Sequence, residues 1–167
     1  MASLTKKKIV LIAIGAIAVA SSVPLIWVAT VVFVAQPVRF LGTSMLPTYR
    51  DGDRLMLQKS IGTLTRGDVV CFWYPRDPSK SMIKRVVGLP GETLAIRGGE
   101  VYVNGTRIEE SYLSPEYCSS VSRDLECAIP AGHVFVLGDN RDHSNDSRQW
   151  GTVPIDLVYG KVLFRYG

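Results

Sequence analysis

Apolar positions along the chain follow two different patterns. From Ile9 to Ala35 no residue is charged, and this stretch exceeds the roughly 20 residues that a helix needs to cross the hydrocarbon core of a bilayer. Beyond it, apolar and β-branched runs are short, and turn sequences such as "RDGD", "TRGD", "GLPGE" and "RGG" interrupt them about every ten residues. The pattern predicts one N-terminal transmembrane helix over 9–35 and an all-β domain over 36–167.

The clearest local element is a hairpin in "EVYVNGTRIEE", which begins at Glu100. Asn104 and Gly105 tolerate the positive φ angles that a two-residue type I′ turn demands, so the sequence predicts a tight turn there. The stretch 111–128 has no sustained hydrophobic period, and it is predicted to form an extended loop.

Three lysines, Lys6 to Lys8, precede the apolar stretch. Lysines that flank a first span tend to remain in the cytoplasm. Residues 1–8 are therefore predicted to be a cytoplasmic tail, and the chain after Ala35 is predicted to lie on the extracytoplasmic face of the inner or plasma membrane. A removable signal peptide is the competing interpretation, but its apolar region is usually only about 7 to 15 residues long. The length favours a retained, single-pass anchor.

Charge and cysteine content narrow the possible functions. The net charge is +4, but apart from the lysines near the N-terminus the charges are mixed in sign, which argues against a nucleic-acid partner. An extracytoplasmic domain can keep disulfides. Cys118 and Cys127 bracket a short polar segment, so we predict a disulfide between them and a buried free thiol at Cys71. The alternative is that all three cysteines are reduced.

A lysine stands in an unusual place in "SMIKRVVGLPGE", which begins at Ser81. Strand alternation puts Met82, Lys84 and Val86 on one face. A lysine among apolar neighbours either extends its amine to solvent at an edge or is buried. Burial would lower its pKa from about 10.4 toward about 7 to 8 and so provide a neutral amine that can act as a general base. The pattern leaves both interpretations open.

The most unusual segment is "LGDNRDHSNDSRQWGTVP", which follows the apolar run "HVFVL". A calcium loop needs oxygen ligands at alternating positions, whereas Arg141 and His143 occupy those places. The two histidines lack a zinc-ligand spacing. His143 as the base of a serine/histidine/aspartate triad is a weaker alternative, because Asp142 and Ser144 adjoin it in sequence instead of facing it across the fold. We predict no metal and no cofactor.

Three motifs together carry a family resemblance. "GTSMLPT" at Gly42, "KRVVGLPGE" at Lys84 and "GDNRDHSNDSRQWGTVP" at Gly138 resemble, in order and spacing, the motifs of bacterial type I signal peptidases. The resemblance spans nearly everything from Phe40 to the C-terminus. It implies a mainly β, antiparallel catalytic domain and a membrane-bound serine endopeptidase. Such an enzyme removes signal peptides from exported preproteins and cuts after small residues at the −1 and −3 positions.

The matching positions imply the catalytic roles. Ser44 resembles the nucleophile, and Lys84 resembles the general base that takes its hydroxyl proton. Ser144 would hydrogen-bond the lysine and orient it. The backbone N–H of Ser44 would be the first donor to the oxyanion. Some family members have a serine hydroxyl as the second donor at the position of Gly42, so here the second donor stays unassigned in the region of Gly42.

The resemblance also implies a polar scaffold around the two catalytic residues. Asp146 and Arg148 would form a supporting ion pair. Asp139 and Arg85 are assigned to the same scaffold.

Small substrate side chains imply two shallow apolar pockets. Met45 and Ile83 flank the catalytic residues, and they are the candidates for lining these pockets, with membership of the core as the alternative. The aromatic run Phe72–Tyr74 is placed either in the membrane interface, where tryptophan and tyrosine are favoured, or in the β core.

The implied partners are preproteins that carry signal peptides, the lipid bilayer and translocation machinery nearby. Two rival interpretations use the same residues: a processing peptidase for a specialised substrate set, and a membrane-anchored β domain that binds exported proteins without cutting them. The presence of Ser44, Lys84 and Ser144 together favours catalysis.

Overall fold

The computed structural model describes residue 22 and the ranges 34–119 and 123–167. The predicted cytoplasmic tail and nearly all of the predicted anchor lie outside the described residues. Within the described residues, no helix has the length and apolar character needed to cross a bilayer. The chain divides into two units, Met1–Ala35 and Gln36–Gly167, and the second contains all the features discussed below.

The second unit consists mainly of β-strands. The elements of the chain from residue 35 onward are β1 (Ala35–Arg39), β2 (Arg54–Gln58), β3 (Val69–Tyr74), β4 (Asp77–Gly88), β5 (Thr93–Arg97), β6 (Glu100–Val103), β7 (Thr106–Arg107), a 3₁₀-helix (Pro115–Tyr117), β8 (Leu125–Ala128), β9 (His133–Leu137), α1 (Ser147–Trp150), β10 (Val153–Pro154), a second 3₁₀-helix (Ile155–Leu157) and β11 (Val158–Arg165).

The strands form two sheets. The large sheet has the order β1-β2-β11-β3-β4-β9-β10, and the small sheet has the order β7-β6-β5-β8. The pairings from β2 to β10 and all those of the small sheet are antiparallel. In the centre of the large sheet, Val70 of β3 pairs with Lys84 of β4, and Arg85 pairs with Leu137 of β9. The prediction of a mainly β, antiparallel domain is confirmed.

The C-terminal part of β4 and strand β9 are covered on both faces, because alternate residues point into different cores. Val86 and Val136 belong to one buried cluster. Val87 and Phe135 belong to a second, which they share with Leu94 of the small sheet. The small sheet therefore packs on the large one through this second cluster. The part of β4 that holds Lys84 and the end of β9, which leads into the third motif, are shielded from solvent.

The local predictions for residues 100–128 are confirmed in part. Asn104 and Gly105 connect β6 to β7 with positive φ angles of 50° and 79°, as a two-residue hairpin requires. The predicted loop 111–128 is wrong at its end, where β8 pairs with β5. The burial pattern of β8 alternates over only four residues, which is too short to stand out in the sequence.

The predicted disulfide between Cys118 and Cys127 is wrong, because all three cysteines are free thiols. Cys127 lies on β8, where it pairs with Leu94 and packs against the core shared by the two sheets. Cys118 follows the first 3₁₀-helix, in a segment bonded to the Asp142 carboxylate through the next residue. Cys71 is a buried free thiol as predicted, and burial raises its pKa to about 12.

The aromatic run of β3 is divided between core and surface. Phe72 is fully buried, whereas Trp73 is 42% exposed and packs against Tyr159 with ring centroids 4.8 Å apart. Tyr74 contacts Trp150 edge-on. The core therefore holds Phe72, and of the three rings in this run Trp73 is the most exposed.

We expect Phe135→Ala to lower the free energy of unfolding by about 3–5 kcal/mol, because it leaves a cavity in the core that joins the two sheets. Phe135 is 1% exposed, whereas Phe164 is 53% exposed. Phe164→Ala is therefore the matched control and should cost less than half as much. Chemical denaturation of both variants measures the difference, and equal losses would contradict the assignment of this core.

Candidate active site

Ser44 lies in the turn that follows β1. The next residue, Met45, has no exposed surface and packs in a third buried cluster with Phe40 and Leu55. The Tyr49 N–H donates to the Met45 carbonyl at 2.9 Å and closes the turn. The buried methionine thus anchors the backbone of Ser44. It does not line a substrate pocket, so that prediction for Met45 is wrong.

Gly42 adopts a left-handed conformation, with φ of 103°, which glycine reaches without steric cost. Its N–H donates to the Asp51 carboxylate at 2.6 Å. This hydrogen bond ties the turn to the "RDGD" sequence before β2. Because the Gly42 N–H is engaged, it does not provide the second oxyanion donor.

The Lys84 amine lies beside the Ser44 hydroxyl. Lys84 is 4% exposed, and its Nζ donates to Ser44 Oγ at 2.9 Å and to the Ile83 carbonyl at 2.9 Å. Burial lowers the pKa of this amine from 10.5 to about 8, and the carboxylates of Asp146 and Asp139 oppose the shift with smaller effects. Of the two interpretations of Lys84, the buried one is correct.

The loop after β9 packs directly on the backbone of Ser44. A Cβ on Gly138 would lie 2.4 Å from the Ser44 carbonyl oxygen and 2.2 Å from Ser144 Oγ, so only glycine fits there. Two residues later, the Asn140 N–H donates to the Ser44 carbonyl and its side-chain amide donates to the Thr43 carbonyl, both at 3.1 Å. The loop therefore holds the backbone of Ser44 from one side.

A buried ion pair connects this loop to β4. Arg85 donates to both carboxylate oxygens of Asp139, through Nε at 2.8 Å and a terminal nitrogen at 2.6 Å. The Thr48 hydroxyl also donates to Asp139, at 2.5 Å, and Arg85 donates to the Gly67 carbonyl. Because Arg85 follows Lys84 on the strand, this pair fixes the loop against the strand that holds the amine.

A second ion pair closes the loop at its other end. Asp146 caps α1 by accepting from the Arg148 N–H, and its side chain also accepts from Arg148 Nε at 2.8 Å. The Gly138 N–H donates to the same carboxylate at 3.0 Å. Asp146 has no exposed surface, so these hydrogen bonds compensate the cost of burying its charge.

The expected hydrogen bond from Ser144 to Lys84 is not formed. Ser144 Oγ is buried and has no hydrogen-bond partner within the described parts of the chain. The side chain packs against Gly138, at the place that a Cβ would otherwise occupy. Ser144 thus belongs to the loop that packs on Ser44, but it is not bonded to the Lys84 amine.

Ser44 and Lys84 line a cleft with a volume of ≈ 380 Å³. Ile83 lines it, as expected, and so do apolar residues outside the predicted set. His143 and Asn145 form part of its wall, but the Ser44 hydroxyl is bonded to Lys84 and not to a histidine. The remaining lining residues are Arg39, Phe40, Leu41, Gly42, Thr43, Ser81 and Met82.

The sequence reasoning missed Asn140 and Thr48. Asn140 stands inside the motif "GDNRD", so its position was visible, but its role depends on contacts with Thr43 and Ser44 almost a hundred residues away. Thr48 follows the proline of "GTSMLPT" and offers no chemical signal beyond a hydroxyl.

Comparisons with known proteins agree on one family. The model of a family described as signal peptidase, peptidase S26, matches residues 7–167. A probable signal peptidase I-1 from Synechocystis sp. is 37% identical over 163 residues, which cover 87% of this chain and 81% of the relative. A signal peptidase I from Bacillus caldolyticus is 37% identical over 139 residues, covering 75% of each.

A solved structure gives the same result for the fold. The crystal structure of a signal peptidase I from Enterococcus faecalis superposes with a TM-score of 0.55 at 37% sequence identity. The match covers 63% of this chain and 100% of the solved chain.

Burial of the Lys84 amine makes stability depend on pH. Below about pH 8 the folded protein must bury a protonated amine. Between about pH 8 and 10.5 the amine is protonated in the unfolded chain but neutral in the folded protein. The free energy of unfolding therefore rises with pH over this range. We expect the free energy of unfolding of wild type, relative to Lys84→Met, to increase by about 3 kcal/mol from pH 7 to pH 10.5. Denaturation of both proteins across this range measures it, and a constant difference would contradict burial of the amine.

Proposed function

The chain belongs to the signal peptidase family, peptidase S26, and from this premise we propose that it is a serine endopeptidase that removes N-terminal signal peptides from exported preproteins. Ser44 is the nucleophile and Lys84 is the general base in this proposal. The single observation that carries it is the 2.9 Å contact between Lys84 Nζ and Ser44 Oγ, made by an amine that is almost completely buried.

The reaction begins when neutral Lys84 accepts the hydroxyl proton and Ser44 Oγ attacks the scissile carbonyl carbon. The tetrahedral intermediate collapses, the peptide C–N bond breaks, and the lysine ammonium gives its proton to the leaving amine. The signal peptide is then held as an ester on Ser44. Lys84 then takes a proton from a water molecule, whose oxygen attacks the ester carbon. The bond between this carbon and Ser44 Oγ breaks, the acid is released, and the Lys84 ammonium returns the proton to Oγ, which restores the serine hydroxyl.

The lowered pKa gives Lys84 this role. At the ordinary value of 10.5 almost no amine would be neutral near pH 7, whereas a pKa of about 8 leaves about a tenth of it neutral. The amine also remains basic enough to retain the proton until the leaving group needs it. Burial therefore provides a base whose pKa is close to the working pH.

The backbone N–H of Ser44 is the proposed donor to the oxyanion. Asn140 supports this role, because it holds the carbonyls of Thr43 and Ser44 on either side of that N–H. The N–H of Gly42 is bonded to Asp51, so the proposal does not use it.

The cleft supports a preference for small residues at the −1 and −3 positions. Its apolar lining includes Leu41, Met82 and Ile83, which suits small apolar side chains such as that of alanine. We further propose that 9–35 anchors the protein in the membrane by a single pass, with the catalytic domain on the extracytoplasmic side. Preproteins would then reach the cleft as they leave nearby translocation machinery.

Cleavage of a preprotein in detergent, followed by mass spectrometry of the product N-terminus, tests the proposal. We expect Ser44→Ala and Lys84→Ala each to lower the rate by at least about 10³-fold, since removal of a nucleophile or its base disables the whole unit. Lys80→Ala is the matched control, because Lys80 lies on the same strand and its side chain is 70% exposed. Cleavage at the wild-type rate by Lys84→Ala would disprove the proposed mechanism.

The pH profile tests the identity of the base. Only the neutral amine accepts a proton, so kcat/KM should rise about tenfold per pH unit below about pH 8 and level off above it. Lys80→Ala should keep this profile. A rate that stays flat from about pH 6 to 10 would exclude Lys84 as the base.

A further inference from the structure

We propose that Glu110, which lies outside all three motifs, is a positioning residue that holds the loop on which the backbone of Ser44 rests. The inference depends on the proposed function, because the loop matters only if Ser44 is the nucleophile. Glu110 follows β7 and belongs to the connection between β7 and β8, the two edge strands of the small sheet.

Glu110 and Arg141 form a buried ion pair. Two nitrogens of the Arg141 guanidinium donate to the two Glu110 carboxylate oxygens, at 2.6 and 3.1 Å. Their side chains are 7% and 8% exposed for Arg141 and Glu110, respectively. Such two-pronged geometry fixes the orientation of the guanidinium plane more strictly than a single contact does.

The third contact of the Arg141 guanidinium connects the pair to the active site. Its Nε donates to the Gly138 carbonyl at 3.0 Å. Gly138 is the residue whose Cα packs against the Ser44 carbonyl, and Asn140, between Gly138 and Arg141, donates to that same carbonyl. The contacts therefore run from Glu110 through Arg141 to the peptide that supports the nucleophile.

Tyr112 joins this pair to the other buried ion pair of the loop. Its hydroxyl donates to Glu110 Oε1 at 2.5 Å, and its ring lies 4.0 Å beneath the Arg85 guanidinium carbon. Arg85 in turn binds Asp139. Both ends of the first loop turn, Asp139 and Arg141, are consequently held by one short segment of the chain.

The same segment makes a third attachment to the loop. The Asp142 N–H donates to the Tyr117 carbonyl at 3.2 Å, and the Ser119 hydroxyl donates to the Asp142 carboxylate at 2.7 Å. Of the three attachments that this segment makes, through Glu110, through Tyr112 and through Asp142, only the one through Glu110 pairs two opposite charges that are both buried. A buried ion pair is a poor source of stability, but the two parallel hydrogen bonds of this pair restrict its geometry, and a fixed geometry is what the nucleophile's backbone requires.

A double variant separates positioning from stability. Glu110→Met/Arg141→Met replaces the ion pair with apolar side chains of similar size, which commonly preserves stability, but it removes the hydrogen bond to the Gly138 carbonyl. We expect kcat for preprotein cleavage to fall about 10- to 100-fold, with KM within about twofold and a melting temperature near that of wild type. Glu109→Met, at the exposed preceding glutamate, is the matched control and should retain the wild-type kcat.

Unchanged kcat in the double variant, whatever its melting temperature, would overturn the positioning role. An equal loss of kcat in Glu109→Met would also overturn it. Should the double variant fail to fold, Tyr112→Phe decides, because it removes only the hydroxyl bonded to Glu110. It should lower kcat and leave KM unchanged, and wild-type kcat would overturn the proposal. Ser44→Ala is assayed in parallel: if it still cleaves, the proposed function is wrong, and if it is inactive, any failure concerns Glu110 alone.

Discussion

The removal of one lysine amine from water is the constraint on which the rest of the site depends. A buried ammonium is costly, so the Lys84 amine loses its proton near pH 8 instead of at its ordinary value. The surrounding structure must supply this cost, and it does so with strands β4 and β9, which have cores on both faces. The chemistry that we propose thus begins in the packing of the sheets and not in the motif that contains the lysine.

Two carboxylates near the amine could have reversed this effect. Asp139 and Asp146 are both without exposed surface, and an uncompensated negative charge in such a site would favour the protonated lysine. Each instead has an arginine of its own, Arg85 and Arg148 respectively. Their remaining influence on Lys84 is smaller than that of burial. The polar loop can therefore support the site structurally without restoring the charge of its base.

The sequence predicted those parts of the site that depend on local pattern. Strand alternation put Lys84 among apolar neighbours. The motifs located Ser44 and the ion pair between Asp146 and Arg148. Adjacency to Ser44 in the sequence does not reveal where a side chain packs, so Met45 was assigned to a pocket although it belongs to a buried core. The disulfide prediction failed for a similar reason, since spacing along the chain does not reveal that Cys127 lies on a strand.

The small sheet acquires a role that no motif indicated. It shields one face of β4 and β9 from solvent through the core around Phe135, and the connection between its strands β7 and β8 carries Glu110 to the loop behind Ser44. On the large sheet, β4 directs Lys84 and Arg85 to opposite faces, so one strand serves the base on one side and the scaffold on the other. The scaffold side is the one that the small sheet's connection reaches, through Tyr112. The connection of the small sheet thus holds the loop behind Ser44 from the Arg85 side of β4, whereas Lys84 is buried on the opposite side, which it shares with Val86.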